Sequence, residues 1–423
     1  MKSYGQLWRE IVSEDNLRRA WYDVRRGHSR SAEVAAFEED IDANLEALRA
    51  DLMSCEYHPA GYHQFKILDP KPRTISCAPV RDRIVHHALC NLITPLLEKS
   101  FIHYTFACRE GKGAHRACSL ARRYCGEYRY FVKLDVRHYF DTIDHEKLLE
   151  VIGAKFRERE VRDLIEKIVR CPLAGQEAGK GLPIGNLTSQ WFANAFLDEF
   201  DHLAQGGFGK GGVAYIRYMD DFVFFCDTKA RAWELHDFSK RWLLEHRRLE
   251  LKDEATIIAP VSEGLPFLGL RIWSNGWRFR RERFLRTRRT FANRTRQFER
   301  GDISERRFAA CAASSDGSLR WFGFKNILAS GRGASSGSNR VQRGGNWNND
   351  NNNCRSTNRN NNNPSNNNNN IGFRLSSTPS VLLQGPARNA GAPRNAETNM
   401  QSADRQVASA NAMSATFSVG EMI

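Results

Sequence analysis

No run of about eighteen apolar residues occurs in the 423-residue chain, which excludes a helix long and apolar enough to span a bilayer. Nor does the start read as a secretory leader, because Met1-Lys2-Ser3-Tyr4 runs into a charged helical stretch. The chain reads as intracellular. Cys-x-x-Cys pairs are missing as well. The ten cysteines, at positions 55, 77, 90, 108, 118, 125, 171, 226, 311 and 354, form no cluster with histidine at metal-ligand spacing. They read as reduced thiols, with a zinc site assembled from distant residues as the alternative that spacing leaves open. Lysine disappears after Lys325, where Asn, Ser, Gly and Ala take over, so the packed protein is expected to end near Leu328.

What is present is a formal net charge of +14, which suits a polyanionic partner once the charges are placed. They concentrate in "RFRRERFLRTRRTFANRTRQFERGDISERR", residues 278–307, among Phe279, Phe284, Phe291 and Phe298. That spacing suits a helix that buries its rings and turns its arginines outward, toward phosphates or simply toward solvent. Upstream, residues 7 to 55 read as two amphipathic helices, the second with Val34, Phe37, Ile41, Leu45, Leu48 and Leu52 at helical spacing. "YHQFKILDPKPRTISCAPVRDRIVHHAL" then reads as a strand hairpin broken at Asp69-Pro70-Lys71-Pro72, followed by a helix from about Arg81. His86 and His87 on that helix read as packing residues.

Residues 128 to 272 alternate strand, helix and hairpin, the pattern of a mixed α+β domain. Two stretches in it carry chemistry. "RYFVKLDVRHYFDTIDH" is a β-rich run ending on Asp135, and "VAYIRYMDDFVFFC" is two apolar strands joined at Met219-Asp220-Asp221. An Asp-Asp pair in a turn is ordinarily only turn chemistry. Set between apolar strands it is costly, because close carboxylates raise each other's pKa, and a cation removes the cost. Asp135 at the end of a neighbouring strand would complete a site for two oxygen-ligated metals about 3.5–4 Å apart. Asp144, just before "HEKLLEVI", reads as a helix N-cap.

"YMDD" downstream of "FVKLDVRHYF" resembles the palm of reverse transcriptases, and the resemblance extends over roughly residues 50 to 325. It implies a right-hand polymerase with fingers, an antiparallel palm sheet and a helical thumb, followed by a disordered tail. The implied boundaries are an N-terminal helical region over 1–56, fingers and palm over 57–272, thumb over 273–328 and tail over 329–423. It also implies two Mg2+ ions held by Asp135, Asp220 and Asp221 beside the carbonyl of Val136, and Phe140 as the gate against a ribose 2′-hydroxyl. Lys66 and Arg73 match the fingers strands that meet the triphosphate. Arg109, Lys112 and Arg116 in "FACREGKGAHRA" match a contact to the template backbone, and Phe267, Leu268 and Gly269 match the primer grip. Lys252 stands near the place of a pyrophosphate-side acid, although Glu254-Ala255 precede Thr256 where the family usually has lysine.

The motif against the incoming base pair reads "GLPIGNLTSQWFANAF". Ile184 stands before Gly185 and Gln190 follows the serine, where group II intron and retron enzymes usually have glutamine and proline. This form, with "DRIVHHAL" and "FACREGKGAH", resembles the reverse transcriptases of diversity-generating retroelements. An apolar side chain cannot make a glutamine's hydrogen bonds, so pairing would be checked less closely. The implied partners are template RNA, primer or cDNA, dNTPs and a small basic helical accessory protein, with no membrane; the implied location is the cytoplasm of a bacterium, or of one carrying a phage.

From Asn346 to Asn370, sixteen of twenty-five residues are asparagine, framed by Trp347, Cys354, Pro364 and Ile371-Gly372-Phe373-Arg374. Asparagine codons carry adenine at two positions, and randomising both opens a broad set of residues with no stop codon. The frame resembles the end of a C-type-lectin-like variable protein, so residues 340–375 read as a template repeat translated in frame. The competing reading is a self-associating Asn-rich tract. For the chain as a whole, a reverse transcriptase without a diversification role and a non-enzymatic lectin-like display protein stand beside the retroelement polymerase.

Overall fold

The computed structural model describes residues 4–26, 31–68 and 72–321, together with strands at 340–343 and 359–362. Among the described residues, those up to Leu268 with Ile272–Gly276 form one compact unit, and Gly269–Arg271 with those from Trp277 onward belong to a second.

The first unit opens with helices α1 (Trp8–Ile11) and α2 (Glu14–Arg25), where Ser13 caps α2 by accepting from the Asn16 N–H. Leu17, Ala20, Trp21 and Val24 bury one face of α2. The single helix expected over 31–54 is two, α3 (Ala32–Glu38) and α4 (Ile41–Met53). Asp40 leaves helical geometry at φ −134°, and the Asn44 side chain donates to the Phe37 carbonyl (3.1 Å) that the break exposes. Val34, Leu45, Leu48 and Leu52 are nonetheless buried.

Strands β1 (His63–Ile67) and β2 (Arg73–Cys77) pair antiparallel, with Lys66 opposite Thr74 and Ile67 opposite Arg73. The expected break at Asp69-Pro70-Lys71 lies outside the described residues. Helix α5 (Val80–Ser100) starts straight after Pro79 and packs against α2. His86 is buried in it, and burial pushes its imidazole down to about 3, so it stays neutral as the packing reading requires.

After α6 (Gly113–Glu127) comes β3 (Tyr130–Asp135), then α7 (Tyr139–Thr142), α8 (His145–Gly153), α9 (Arg159–Val169), α10 (Leu187–Phe196) and α11 (Asp198–Gln205). The hairpin β4 (Ala214–Tyr218) and β5 (Asp221–Cys226), helix α12 (Lys229–Arg247) and β6 (Ile257–Pro260) complete an antiparallel sheet of order β4-β5-β3-β6. Helix α12 packs on β3 and β5, with Leu235 and Leu243 fully buried. Because β3 is central, Phe131, Val132 and Leu134 are all inside, and the end that carries Asp135 pairs with β5 on one side and accepts from the Lys252 N–H on the other. Asp144 caps α8 as expected, accepting from the Lys147 N–H (3.0 Å) and pairing with Arg248 (2.7 Å).

Strands β7 (Leu265–Phe267), β8 (Leu270–Trp273) and β9 (Gly276–Phe279) form a three-stranded sheet. The helical segment expected from 273 thus begins only after β9, because Ser274-Asn275 turns the chain back beside β8. In the second unit α13 (Arg281–Glu299) and α14 (Glu305–Trp321) join through Gly301, and Phe308 stacks on Phe298 (4.8 Å) near Phe291. The arginines of α13 with described side chains are exposed or half-buried. Strands β10 (Arg340–Arg343) and β11 (Arg359–Asn362) pair antiparallel, and the rest of the asparagine tract lies outside the described residues.

Asp144→Ala removes both the cap and the Arg248 pair, and is expected to lower unfolding free energy by about 1–2 kcal/mol in urea denaturation. A loss of only a few tenths, as roughly expected where solvent replaces a cap, would contradict this account of α8.

Candidate active site

Asp135 closes β3 and Asp221 opens β5, and the two are direct cross-strand partners. Side chains of such pairs stand on one face about 4.5–5.5 Å apart at Cβ. Asp220 sits beside them in the two-residue turn Met219-Asp220, where Met219 adopts φ +59°, a left-handed conformation unusual for a residue with a side chain. Met219 is buried and both aspartates of the turn are half-buried.

The electrostatics follow from this crowding. Burial, reinforced by the charges of Asp135 and Asp221, pushes Asp220 up to about 7. Asp221 rises to about 6, driven by burial and held back by the Lys133 ammonium, whose Nζ lies 2.7 Å from its Oδ1. Negative charge is therefore in excess, and a single lysine offsets part of it. Among the described residues no three or more His, Cys, Asp or Glu side chains close into a ready-made ion cage. Magnesium is ordinarily held by one or two carboxylates completed by substrate phosphates. Crowded aspartate oxygens at the ends of two central strands, short of cations, fit that kind of donor set.

The backbone around Asp135 is fixed from the far side. The Lys252 N–H donates to the Asp135 carbonyl (2.8 Å) and the Arg137 N–H to the Glu250 carbonyl (2.9 Å), so Val136 and Leu251 face each other as a bridge. In that pattern the Val136 carbonyl is turned away from Leu251, toward the side of β3 where β5 runs. Phe140 stands half-buried on α7, its ring 5.7 Å from Tyr139, whose hydroxyl donates to the Ala193 carbonyl (2.6 Å).

Ile184 and Gly185 form a turn docked on β2. The Ser76 N–H donates to the Ile184 carbonyl (2.9 Å), and the Asn186 amide donates to the Ser76 carbonyl (3.0 Å). Gly185 has φ +111°, and a Cβ there would fall 2.9 Å from Ile75 Cγ2, so both conformation and space require glycine. Gln190 is half-buried on α10. On the hairpin itself Lys66 is exposed and Arg73 half-buried.

Arg109 departs from its expected template contact. Its guanidinium is 5% exposed, pairs with Glu98 (2.8 Å) and donates to Thr105 and to the Ile102 carbonyl, so it braces the 98–109 loop from inside. Lys112 is half-buried and leans on the His103 carbonyl (2.8 Å) and over the Phe106 ring. Phe267 is buried, and Leu268 (φ +47°) with Gly269 (φ +78°) makes the tight turn between β7 and β8. The nine described cysteines are free thiols, and Cys354 lies outside the described residues. None of the described helices is long and apolar enough to cross a membrane.

Sequence reasoning did not single out Lys133, Asn186 or Ser76, nor the fully buried Arg217 on β4. The guanidinium of Arg217 pairs with Asp201 and donates to the Met219 carbonyl (3.0 Å). The available signal was a charge inside an apolar strand, which demands a buried partner.

Because the Asp220 carboxyl rises in the folded state, the metal-free fold binds a proton that the unfolded chain has already lost. Stability should therefore fall as pH rises from about 4 toward 7. Asp220→Asn is expected to raise the melting temperature of metal-free protein at pH 8, with a gain that shrinks as pH falls toward about 4, the unfolded carboxylate range. A gain independent of pH, read by differential scanning fluorimetry, would remove the electrostatic account.

Residues 68–272 match the family described as reverse transcriptase (RNA-dependent DNA polymerase), and residues 300–378 match a sulfatase-modifying factor enzyme 1-like domain. Protein YkfC of Escherichia coli is 26% identical over 273 residues, covering 55% of this chain and 72% of that protein. The group II intron-encoded protein LtrA of Lactococcus lactis subsp. cremoris is 26% identical over 197 residues, 46% of this chain and 31% of its own length. A structure of apo telomerase from Candida tropicalis aligns at 10% identity over 56% of this chain and 51% of its own, with a TM-score of 0.42. The sheet that carries Asp135 and Asp221 lies wholly inside the first family match, so residues 68–272 are a reverse transcriptase domain, the catalytic domain of an RNA-directed DNA polymerase.

Proposed function

We propose that Asp135, Asp220 and Asp221 hold two magnesium ions and that the chain copies an RNA template into DNA. The observation that carries this reading is the cross-strand pairing of Asp135 with Asp221 beside Asp220, a carboxylate cluster whose repulsion a divalent cation relieves. Bound there, magnesium would supply Lewis-acid polarisation of the primer 3′-hydroxyl and neutralise charge on the leaving pyrophosphate. The aspartates would hold those ions, with Lys133, now paired with Asp221, giving up that carboxylate to them, and the Val136 carbonyl stands on the same side of β3. Phe140 closes the sugar edge of the nucleotide, Lys66 and Arg73 approach its phosphates from the hairpin, and the Leu268-Gly269 turn supports the primer.

We further propose that the template is the repeat of a diversity-generating retroelement, copied with errors at adenine and assisted by a small basic helical protein. Two features support this. Ile184 and Gly185, docked on Ser76, present an apolar side chain where related enzymes carry glutamine. The asparagine tract lies inside a segment, 300–378, that matches a family unrelated to polymerases, as expected if the frame around the asparagines belongs to a different gene. A group II intron-like enzyme without diversification is the second reading, favoured by the likeness to LtrA. Codons for the tract that are not mostly AAC or AAT, or the lack of a nearby copy changed at adenines, would favour it.

Asp135→Asn and Asp220→Asn are expected to lower primer extension on RNA by roughly three orders of magnitude, the scale of losing several kcal/mol of metal-centred stabilisation. Nucleic-acid binding should persist. Near-parental rates for Asp135→Asn would remove the assignment.

Ile184→Gln is expected to lower misincorporation opposite template adenine about threefold to tenfold, the worth of one added hydrogen bond of about 0.5–1.5 kcal/mol. Error frequency per template base in primer extension measures it. An unchanged adenine error rate would place the infidelity elsewhere.

A further inference from the structure

We propose that Arg217 is a positioning residue for the aspartate turn, holding the Met219 carbonyl through a buried network anchored on Asp201 and Asn194. The proposal rests on the reading of Asp220 and Asp221 as metal ligands.

Arg217 lies on β4, two residues before the turn, and both it and Asp201 are completely buried. Its Nε donates to Asp201 Oδ1 (2.7 Å) and one terminal nitrogen to Asp201 Oδ2 (2.5 Å), a bidentate pair. The same nitrogen reaches the Asn194 carbonyl (3.2 Å), while the other donates to Asn194 Oδ1 and to the Met219 carbonyl, both at 3.0 Å. All five N–H groups of the guanidinium are used. The Tyr215 hydroxyl closes the network on Asp201 Oδ1 (2.7 Å), and the Asn194 amide donates to the Ala107 carbonyl (3.0 Å).

Stability alone does not call for such a network, since a buried ion pair is often replaceable by apolar residues with little loss. An apolar side chain cannot aim an N–H at the turn. Met219 holds φ +59°, a conformation that persists where its surroundings determine it. The guanidinium fixes the peptide that immediately precedes Asp220, from inside the protein. Only arginine spans Asp201, Asn194 and the Met219 carbonyl at once; a lysine ammonium can satisfy the carboxylate but lacks the planar fork.

A second buried pair provides the control. Lys155 Nζ lies 2.8 Å from Asp198 Oδ2, both side chains are under 10% exposed, and their other partners are Ser100 and His202 rather than the turn.

The test uses the full chain in primer extension on RNA, with kcat, KM for dNTP, half-saturating Mg2+ and melting temperature measured for each variant. Arg217→Lys is expected to lower kcat about tenfold to hundredfold and to raise half-saturating Mg2+, as for partners that orient metal ligands. KM for dNTP and primer–template affinity should stay within about twofold, since the network touches neither. The Lys155→Met/Asp198→Leu double variant should change melting temperature but keep parental kcat and Mg2+ dependence. Asn194→Ala, which keeps the Arg217 and Asp201 pair, should shift Mg2+ dependence in the same direction by less, and supplies the readout if Arg217→Lys does not fold. Parental Mg2+ dependence in the folded Arg217 or Asn194 variant, or an equal loss in the Lys155/Asp198 control, would overturn the proposal. If Asp220→Asn were fully active, the metal reading and this proposal would fall together. If it is inactive while Arg217→Lys behaves as the parent, only the positioning role falls.

Discussion

Repulsion among carboxylates is the constraint on which the rest of this site depends. Asp135 and Asp221 are cross-strand neighbours and Asp220 follows a turn residue held at positive φ, an arrangement that raises the free energy of the fold at neutral pH. Lys133 offsets one of the charges, and burial together with the charges of Asp135 and Asp221 still pushes the Asp220 carboxyl up to about 7. The cost makes the site selective for what it binds, because a divalent cation with anionic oxygens attached relieves it.

Such a cluster is sustainable only on a rigid support. The four-stranded sheet supplies it through Phe131, Val132, Leu134, Phe222, Phe224 and Phe225, all with essentially no exposure. At about 1.5–3 kcal/mol for each fully buried large apolar side chain, these residues outweigh the few kcal/mol that crowded charges can cost. Polar ties then set the details that apolar packing leaves free: Lys252 and Arg137 peptides around Val136, Arg217 behind the turn, and Asn186 with Ser76 joining the Ile184 turn to β2.

Local signals in the sequence carried much of this. Two apolar runs meeting at Asp-Asp define a hairpin by themselves, and the cap at Asp144 is a statement about three neighbouring residues. Tertiary features were not legible. Nothing local tells that Arg217 pairs with Asp201, sixteen residues away, or that Arg109 points into its own loop rather than at a template. The break at Asp40 escaped because Val34, Phe37, Ile41 and Leu45 keep helical spacing across a one-residue kink. β9 escaped although Asn275-Gly276 is a common hairpin signal, because the arginines that follow drew the reading toward a helix.

The central claim is that the three aspartates assemble two metal ions on the reacting end of a primer annealed to RNA. Electron paramagnetic resonance of Mn2+, titrated into the chain with a primer on an RNA template and a non-hydrolysable dNTP, counts those ions without requiring turnover. The account predicts two tightly bound ions per chain in the parent, none in the absence of nucleic acid and dNTP at the same free Mn2+, and loss of at least one in Asp135→Asn. Two ions retained by Asp135→Asn, or none bound by a parent chain that extends primers, would contradict it.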